Sequence, residues 1–346
     1  MEQKNTIMGK SVKRYPYIDY SRGIVALIVI LGHLVPFDGP IFRWFFSFHM
    51  PFFFLISGYC FSLHRDGLNQ TFFRWLWKIF RAYLLVNILF SFFLLLIGTV
   101  QADGIKGVLY YVFIDPLHEW FLPAFFLAQL LFWFYLKAFF AMNRLTGWVF
   151  SAFLIAVIYP LAHYGYDHGF HDYPYFPVKV LSAAVGFSFL IAGFLLGRVL
   201  FSEQFQGKIS LHPAVTAIIG VVLIILSEKN TYLNMCNMAL GKSDILYVLT
   251  AVFWSLAILY FSQKLELIPA RFSLVRRWLA MVGRHTLFMY LGHQVTFYLI
   301  TTAIAKIWSV ELTPMIHFPW YMVIIYFSLS VAVLSALCYV LDKKKR

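Results

Sequence analysis

Blocks of about twenty apolar residues, separated by short polar stretches, run the length of this chain. Each is long enough to cross a hydrocarbon core of roughly 30 Å as a helix. The pattern predicts about ten spans, at residues 18–36, 44–62, 78–99, 119–141, 147–163, 178–200, 214–227, 245–262, 285–306 and 320–341. The seventh, Ala214 to Ser227, is short unless it begins nearer Leu211. The expected fold is therefore all-α, a polytopic membrane helix bundle. No internal repeat or low-complexity tract divides it, so residues 1–346 are expected to form one integral membrane domain, with residues 1–17 as a cytoplasmic N-terminal segment and 342–346 as a basic tail.

Composition supports this reading: 61% of residues are hydrophobic and only 12% charged, far from the balance of a soluble domain. A net charge of +13 could suggest nucleic acid, but the cations sit in alternate loops. Lys10 and Lys13 precede the first span, Arg65 to Arg81 follow the second, Lys137 and Arg144 the fourth, Arg198 and Lys208 the sixth, Lys264 to Arg284 the eighth, and Lys343 to Arg346 end the chain. By the positive-inside rule those loops and both termini are cytoplasmic, which points to a multi-pass protein of the cytoplasmic (inner) membrane, with the lipid bilayer and not nucleic acid as its partner. The N-terminus lacks a small-residue cleavage site and does not read as a signal peptide. Cys60, Cys236 and Cys338 are too scattered for a disulfide framework or metal site. Walker, HExxH and GxSxG motifs are absent, and no metal is expected.

Ionisable residues inside apolar segments are the candidates for chemistry. Arg22 and His33 lie eleven positions apart in the first span, which on a helix puts them on one face roughly 16 Å apart. Arginine at that depth can hold a carboxylate or phosphate bidentately, and histidine can take a proton from a hydroxyl. The plainer alternatives are an interhelical hydrogen bond for His33 and an Asp19–Arg22 ion pair at the helix start. In the second span Pro51 removes a backbone donor, which reads as a mid-membrane break, and His49 is a candidate for the cavity of His33. Arg74, Lys78 and Arg81 form a stripe suited either to nucleotide phosphates or to anionic lipid headgroups. His118-Glu119-Trp120 offers a carboxylate and a stacking or interface-anchoring ring. Of His285 and His293, opening the ninth span, one is expected to be interfacial. The aromatic loop Tyr164 to Tyr175 suits sugar faces, though interfacial belts look similar.

Taken together, these segments resemble the acyltransferase 3 family of bacterial membrane acyltransferases. Asp19-x-x-Arg22-Gly23, with ten residues between Arg22 and His33, is similar to the family's opening motif. Phe53-Phe54-Leu-Ile-Ser57-Gly58-Tyr59 resembles the end of its second span, and Phe48-His49-Met50-Pro51 resembles the fucose O-acetylase-like branch. Trp120-Phe121-Leu122 and Gly283 to His293 resemble two later elements in the family's order. The chain departs from the family where an Arg-x-x-Arg stretch followed by Pro-Tyr is usual: here stand Lys78, Arg81, Ala82 and Tyr83. Charge is retained, but lysine lacks arginine's fork.

The resemblance implies an O-acetyltransferase acting on carbohydrate hydroxyls, moving acetyl from cytoplasmic acetyl-CoA to a cell-surface glycan or its lipid-linked saccharide precursor. His33 and Glu119 would be catalytic, Arg22, Lys78 and Arg81 would bind the donor, and Asp19, His49, Trp120 and His293 would contact substrate. The alternative from the residues alone is a proton-coupled transporter or flippase of a glycan precursor, its intramembrane histidines relaying protons. The paired halves common in transporters are missing from the sequence, which weighs against that alternative.

Overall fold

A computed structural model describes residues 5–7, 10–12, 15–62, 68–96, 106, 120–169, 179–201, 212–230, 233–308 and 319–343 of the chain. Among them lie twelve α-helices: α1 (Pro16–Gly32), α2 (Pro40–Phe46), α3 (His49–Phe61), α4 (Leu68–Leu96), α5 (Phe121–Ala141), α6 (Arg144–Asp167), α7 (Val180–Leu200), α8 (Pro213–Lys229), α9 (Asp244–Glu266), α10 (Ser273–Arg284), α11 (Thr286–Trp308) and α12 (Trp320–Lys343). Strands are confined to two short antiparallel pairs among the described residues, β1 (Asn5–Ile7) with β2 (Lys10–Val12) and β3 (Leu233–Asn234) with β4 (Ala239–Leu240).

Seven segments of the described residues are long and apolar enough to cross a membrane, α2 and α3 counting together as Pro40–Phe61. Large apolar side chains point outward along them: Phe153 is 61% exposed, Leu249 56% and Ile324 63%. A surface of this kind is disfavoured in water and suited to acyl chains, while the helices satisfy their own backbone groups where no water can. The protein is an all-α, multi-pass membrane protein.

Three features differ from the hydrophobic pattern. The second expected span is interrupted: α2 stops at Phe46 and α3 starts at His49, with Phe48 capping it at φ −140°. Pro51 therefore lies in the first turn of α3, where a missing N–H costs nothing, and not at a mid-membrane break. The third span begins earlier, at Leu68, so that the cationic stripe is part of α4 itself. Residues 273–284, expected as part of a cytoplasmic loop, form the amphipathic helix α10. It buries Leu279, Met281, Val282 and Gly283 while Arg277 and Arg284 stay exposed.

The chain folds as two compact units, the first comprising Met1–Phe45, Ile209–Val221 and Phe253–Arg346, the second Phe46–Lys208 and Val222–Val252. In the first, α1 lies along α10 with the backbones in contact. A Cβ on Gly23 would come within 2.5 Å of the Leu279 carbonyl oxygen, and one on Gly283 would collide with the Asp19 carbonyl. Ile30 of α1, Val282 of α10, Met289 and Phe297 of α11, and Tyr326 and Leu334 of α12 close the core. Buried polar groups pair across it: Thr301 with the Tyr326 hydroxyl at 3.0 Å, and the Trp278 indole N–H donating to Ser335 at 3.0 Å.

In the second unit α3 and α7 meet in the same way. A Cβ on Gly58 would strike the Leu190 carbonyl, and one on Gly193 the Leu55 carbonyl. Small residues permit this approach, and dispersion between the touching helices replaces a hydrophobic force that lipid does not supply. The Gln129 amide donates to the Ser57 hydroxyl at 2.7 Å. Ser151 donates to the Gly147 carbonyl at 2.6 Å, so at the 2.8 Å contact between Tyr135 and Ser151 the tyrosine is the donor.

Replacing Gly193 or Gly283 with Leu forces these backbones apart. Each substitution is expected to cost about 1–3 kcal/mol or more and to lower the thermal unfolding temperature in detergent by several degrees. Unchanged unfolding in both variants would show that the close approaches do not hold the units together.

Candidate active site

The first unit holds the Arg22–His33 face. Helix α1 opens with Pro16 at its first position, carries Asp19 in its first turn and ends at Gly32. His33 caps it in a helical conformation, φ −80° and ψ −5°, its backbone N–H donating to the Val29 carbonyl at 3.2 Å. Helical geometry thus runs unbroken between the two residues, and they keep the common face that their spacing requires. Asp19 is buried at 7% exposure, while Arg22 and His33 are partly buried.

The His33 ring meets that of His293, with centroids 4.9 Å apart and planes inclined by 30°. His293 lies two turns into α11 at 1% exposure. Its Nδ1 contacts the Tyr290 carbonyl. Because a carbonyl only accepts, Nδ1 carries the proton, and the lone pair of the neutral ring is on Nε2. Phe297 stands edge-on to the same ring at 5.6 Å. The result is a half-accessible imidazole backed by a second, tautomerically fixed imidazole in an apolar wall, an arrangement that can receive a proton and hold it away from bulk water.

The other residues singled out in the sequence are dispersed. His285 pairs with Asp342 at 2.8 Å, and Arg284 donates to the same carboxylate; of the two late histidines it is His293, not His285, that reaches His33. His49 belongs to the second unit, where it is buried at 2% exposure with its ring edge-on to Phe46 at 4.6 Å. Also in that unit, Arg74, Lys78 and Arg81 are all exposed on α4, forming the expected stripe. Trp120 precedes α5 and packs against Phe121, centroids 6.0 Å apart. Glu119 lies outside the described residues, as does the aromatic loop beyond Gly169. Within the described part of that loop, His168 stacks on Tyr164 at 3.8 Å. No group of three His, Cys, Asp or Glu side chains among the described residues could hold a metal ion.

Two features escaped the sequence reading. One is the His33–His293 pair itself, since no local pattern links residues so far apart in the chain. The other is a groove of about 1170 Å³ in the first unit, lined by Asp19 and Tyr20 of α1, by Arg276, Arg277 and Arg284 of α10 and by the end of α12. Its signal was present in the amphipathic run Ser273 to Arg284, where arginines alternate with Leu, Val and Met at helical spacing.

A family model described as an acyltransferase domain, Acyl_transf_3, matches residues 15–340. No curated protein and no solved structure matches the chain. The match takes in nearly the whole length, from just before α1 into the last turn of α12, with both histidines of the pair, and on it the chain belongs to the acyltransferase 3 family and is a membrane acyltransferase.

Proposed function

We propose that this acyltransferase moves an acetyl group from cytoplasmic acetyl-CoA to a hydroxyl of a cell-surface glycan or its lipid-linked precursor, in the manner of the fucose O-acetylase-like branch. The observation that carries the reading is the His33–His293 pair, which joins the Arg22-bearing helix α1 to α11. Family membership favours acyl transfer over proton-coupled transport.

In this reading His33 takes the proton of the acceptor hydroxyl as its oxygen attacks the thioester carbonyl. A tetrahedral intermediate forms, the C–S bond breaks, and the departing thiolate of CoA takes the proton from the imidazolium. His293 is a positioning residue. Its ring packs against that of His33, centroids 4.9 Å apart, and so holds the imidazole in place for proton transfer. Arg22 neutralises negative charge on the donor, and Lys78 and Arg81 offer further cations. Glu119 and Trp120 remain candidates for orienting the acceptor, with Asp19 and His49 as further substrate contacts. The enzyme would lie in the cytoplasmic membrane as a single domain of about ten spans with both termini inside. The start of α1 and the end of α12 lining one groove supports termini on the same side.

His33→Ala at matched expression is expected to lower transfer of label from isotopically labelled acetyl-CoA to membrane glycan by about a hundredfold or more. Equal label in wild type and variant would remove His33 from the chemistry. For His293→Ala, kcat is expected to fall by about tenfold or more with the KM for acetyl-CoA unchanged, and a rise in KM alone would make it a substrate contact instead. A reporter fused behind Arg346 should be active only on the cytoplasmic side, and periplasmic activity would invert the topology.

A further inference from the structure

We infer that the groove between the start of α1, α10 and the end of α12 is a binding site for clustered phosphate esters. Its volume of about 1170 Å³ is enough for a nucleotide-sized ligand. Its wall carries the cations Arg276, Arg277, Arg284 and Lys343 against the carboxylates Asp19 and Asp342.

The cations divide into two kinds. Arg276 donates to the Glu266 backbone carbonyl at 3.0 Å, and Arg284 donates to Asp342, which is also held by His285 at 2.8 Å. These contacts fix two guanidinium groups in place before any ligand arrives, which lowers the ordering cost of binding. Arg277 and Lys343 are exposed and form no ion pair among the described residues. Among the described residues, two cations on the groove wall therefore have no protein anion, beside two that are already oriented. Phosphate is the anion this arrangement suits, because guanidinium groups bind its oxygens bidentately and several can share one charge cluster. Trp278 and Tyr339 add aromatic surface to the wall, a face on which a base can stack.

Two sources supply this chemistry. One is the nucleotide end of the acyl donor, an assignment that rests on the acetyl-CoA reading above. The other is the headgroup of an anionic phospholipid: Leu274 and Val275, beside the arginines on α10, are 70% and 54% exposed, as suits a helix lying at headgroup depth. The groove's affinity for phosphate is common to both.

The test uses the full chain in nanodiscs, comparing wild type with the double variant Arg277→Gln, Lys343→Gln, whose side chains hold nothing else together. An unchanged unfolding temperature checks its fold. In phosphatidylcholine discs, binding of adenosine 3′,5′-bisphosphate, CoA and phosphate-free pantetheine is measured. In discs containing phosphatidylglycerol, retained anionic lipid is counted by native mass spectrometry. For a nucleotide site, wild type binds the bisphosphate and CoA, pantetheine binds far more weakly, and the variant loses about tenfold or more in affinity for the two phosphate ligands. For a lipid site, nucleotides do not bind, and phosphatidylglycerol is retained by wild type and lost from the variant. Wild type holding neither ligand, or the variant holding both as wild type does, overturns the proposal. Acetyl transfer by the same preparations keeps the two readings apart. Phosphate binding without any transfer sinks the acetyl-CoA reading and leaves the groove assigned. Normal transfer with no groove-dependent binding does the reverse.

Discussion

Where α1 crosses α10 the two backbones touch, because Gly23 and Gly283 place no Cβ between them. That contact sets the geometry of everything around it in the first unit. It draws the first turn of α1, with Asp19, against α10 and so forms one wall of the arginine-lined groove. Further along, the same helix pair fixes the height of His33 relative to α11, which follows α10 after the single residue His285. A methyl group at either glycine would move helix ends as well as the local contact, since a helix transmits displacement along its axis. Groove and histidine pair are thus two ends of one packing decision.

Polar groups within the helices obey a second constraint, the lack of water to receive them. Many resolve it locally, by returning a hydroxyl proton to the carbonyl three or four residues back: Ser188 to Ala184, Thr250 to Leu246, Thr296 to His293. A few resolve it between helices, as Gln129 with Ser57 and Tyr135 with Ser151 do. His293 follows the local rule at Nδ1, and its ring lies beside another imidazole, that of His33.

Much of the architecture was legible in the sequence because a membrane helix is specified by length and apolarity, both local properties. Segments α5, α7, α9, α11 and α12 begin and end within a few residues of the expected spans. The errors arise where hydropathy carries no information. Phe46 to Phe54 stays mostly apolar whether or not the backbone turns, so hydropathy did not separate α2 from α3, and Pro51 marked a break a few residues beyond the actual one at Ser47 and Phe48. Helix α10 is short and half charged, so a search for apolar runs passed over it even though its periodicity was visible. In the site, the Arg22–His33 alignment was readable since both lie on one helix. The meeting of His33 with His293 depends on how α1, α10 and α11 pack, which spacing along the chain does not encode.

The glycine-mediated contact between α3 and α7 bears on how the protein is made. Helix α3 ends at Phe61 and α7 begins at Val180, so more than a hundred residues must leave the ribosome before α3 meets the surface shaped to receive it. At about 5–20 residues per second that interval is on the order of ten seconds. Throughout it the notch at Gly58 faces lipid or temporary protein neighbours instead of its final partner, while the Ser57 hydroxyl waits only until Gln129 of α5 has emerged. The second unit is therefore completed late in synthesis, and its assembly is timed by translation as much as by packing.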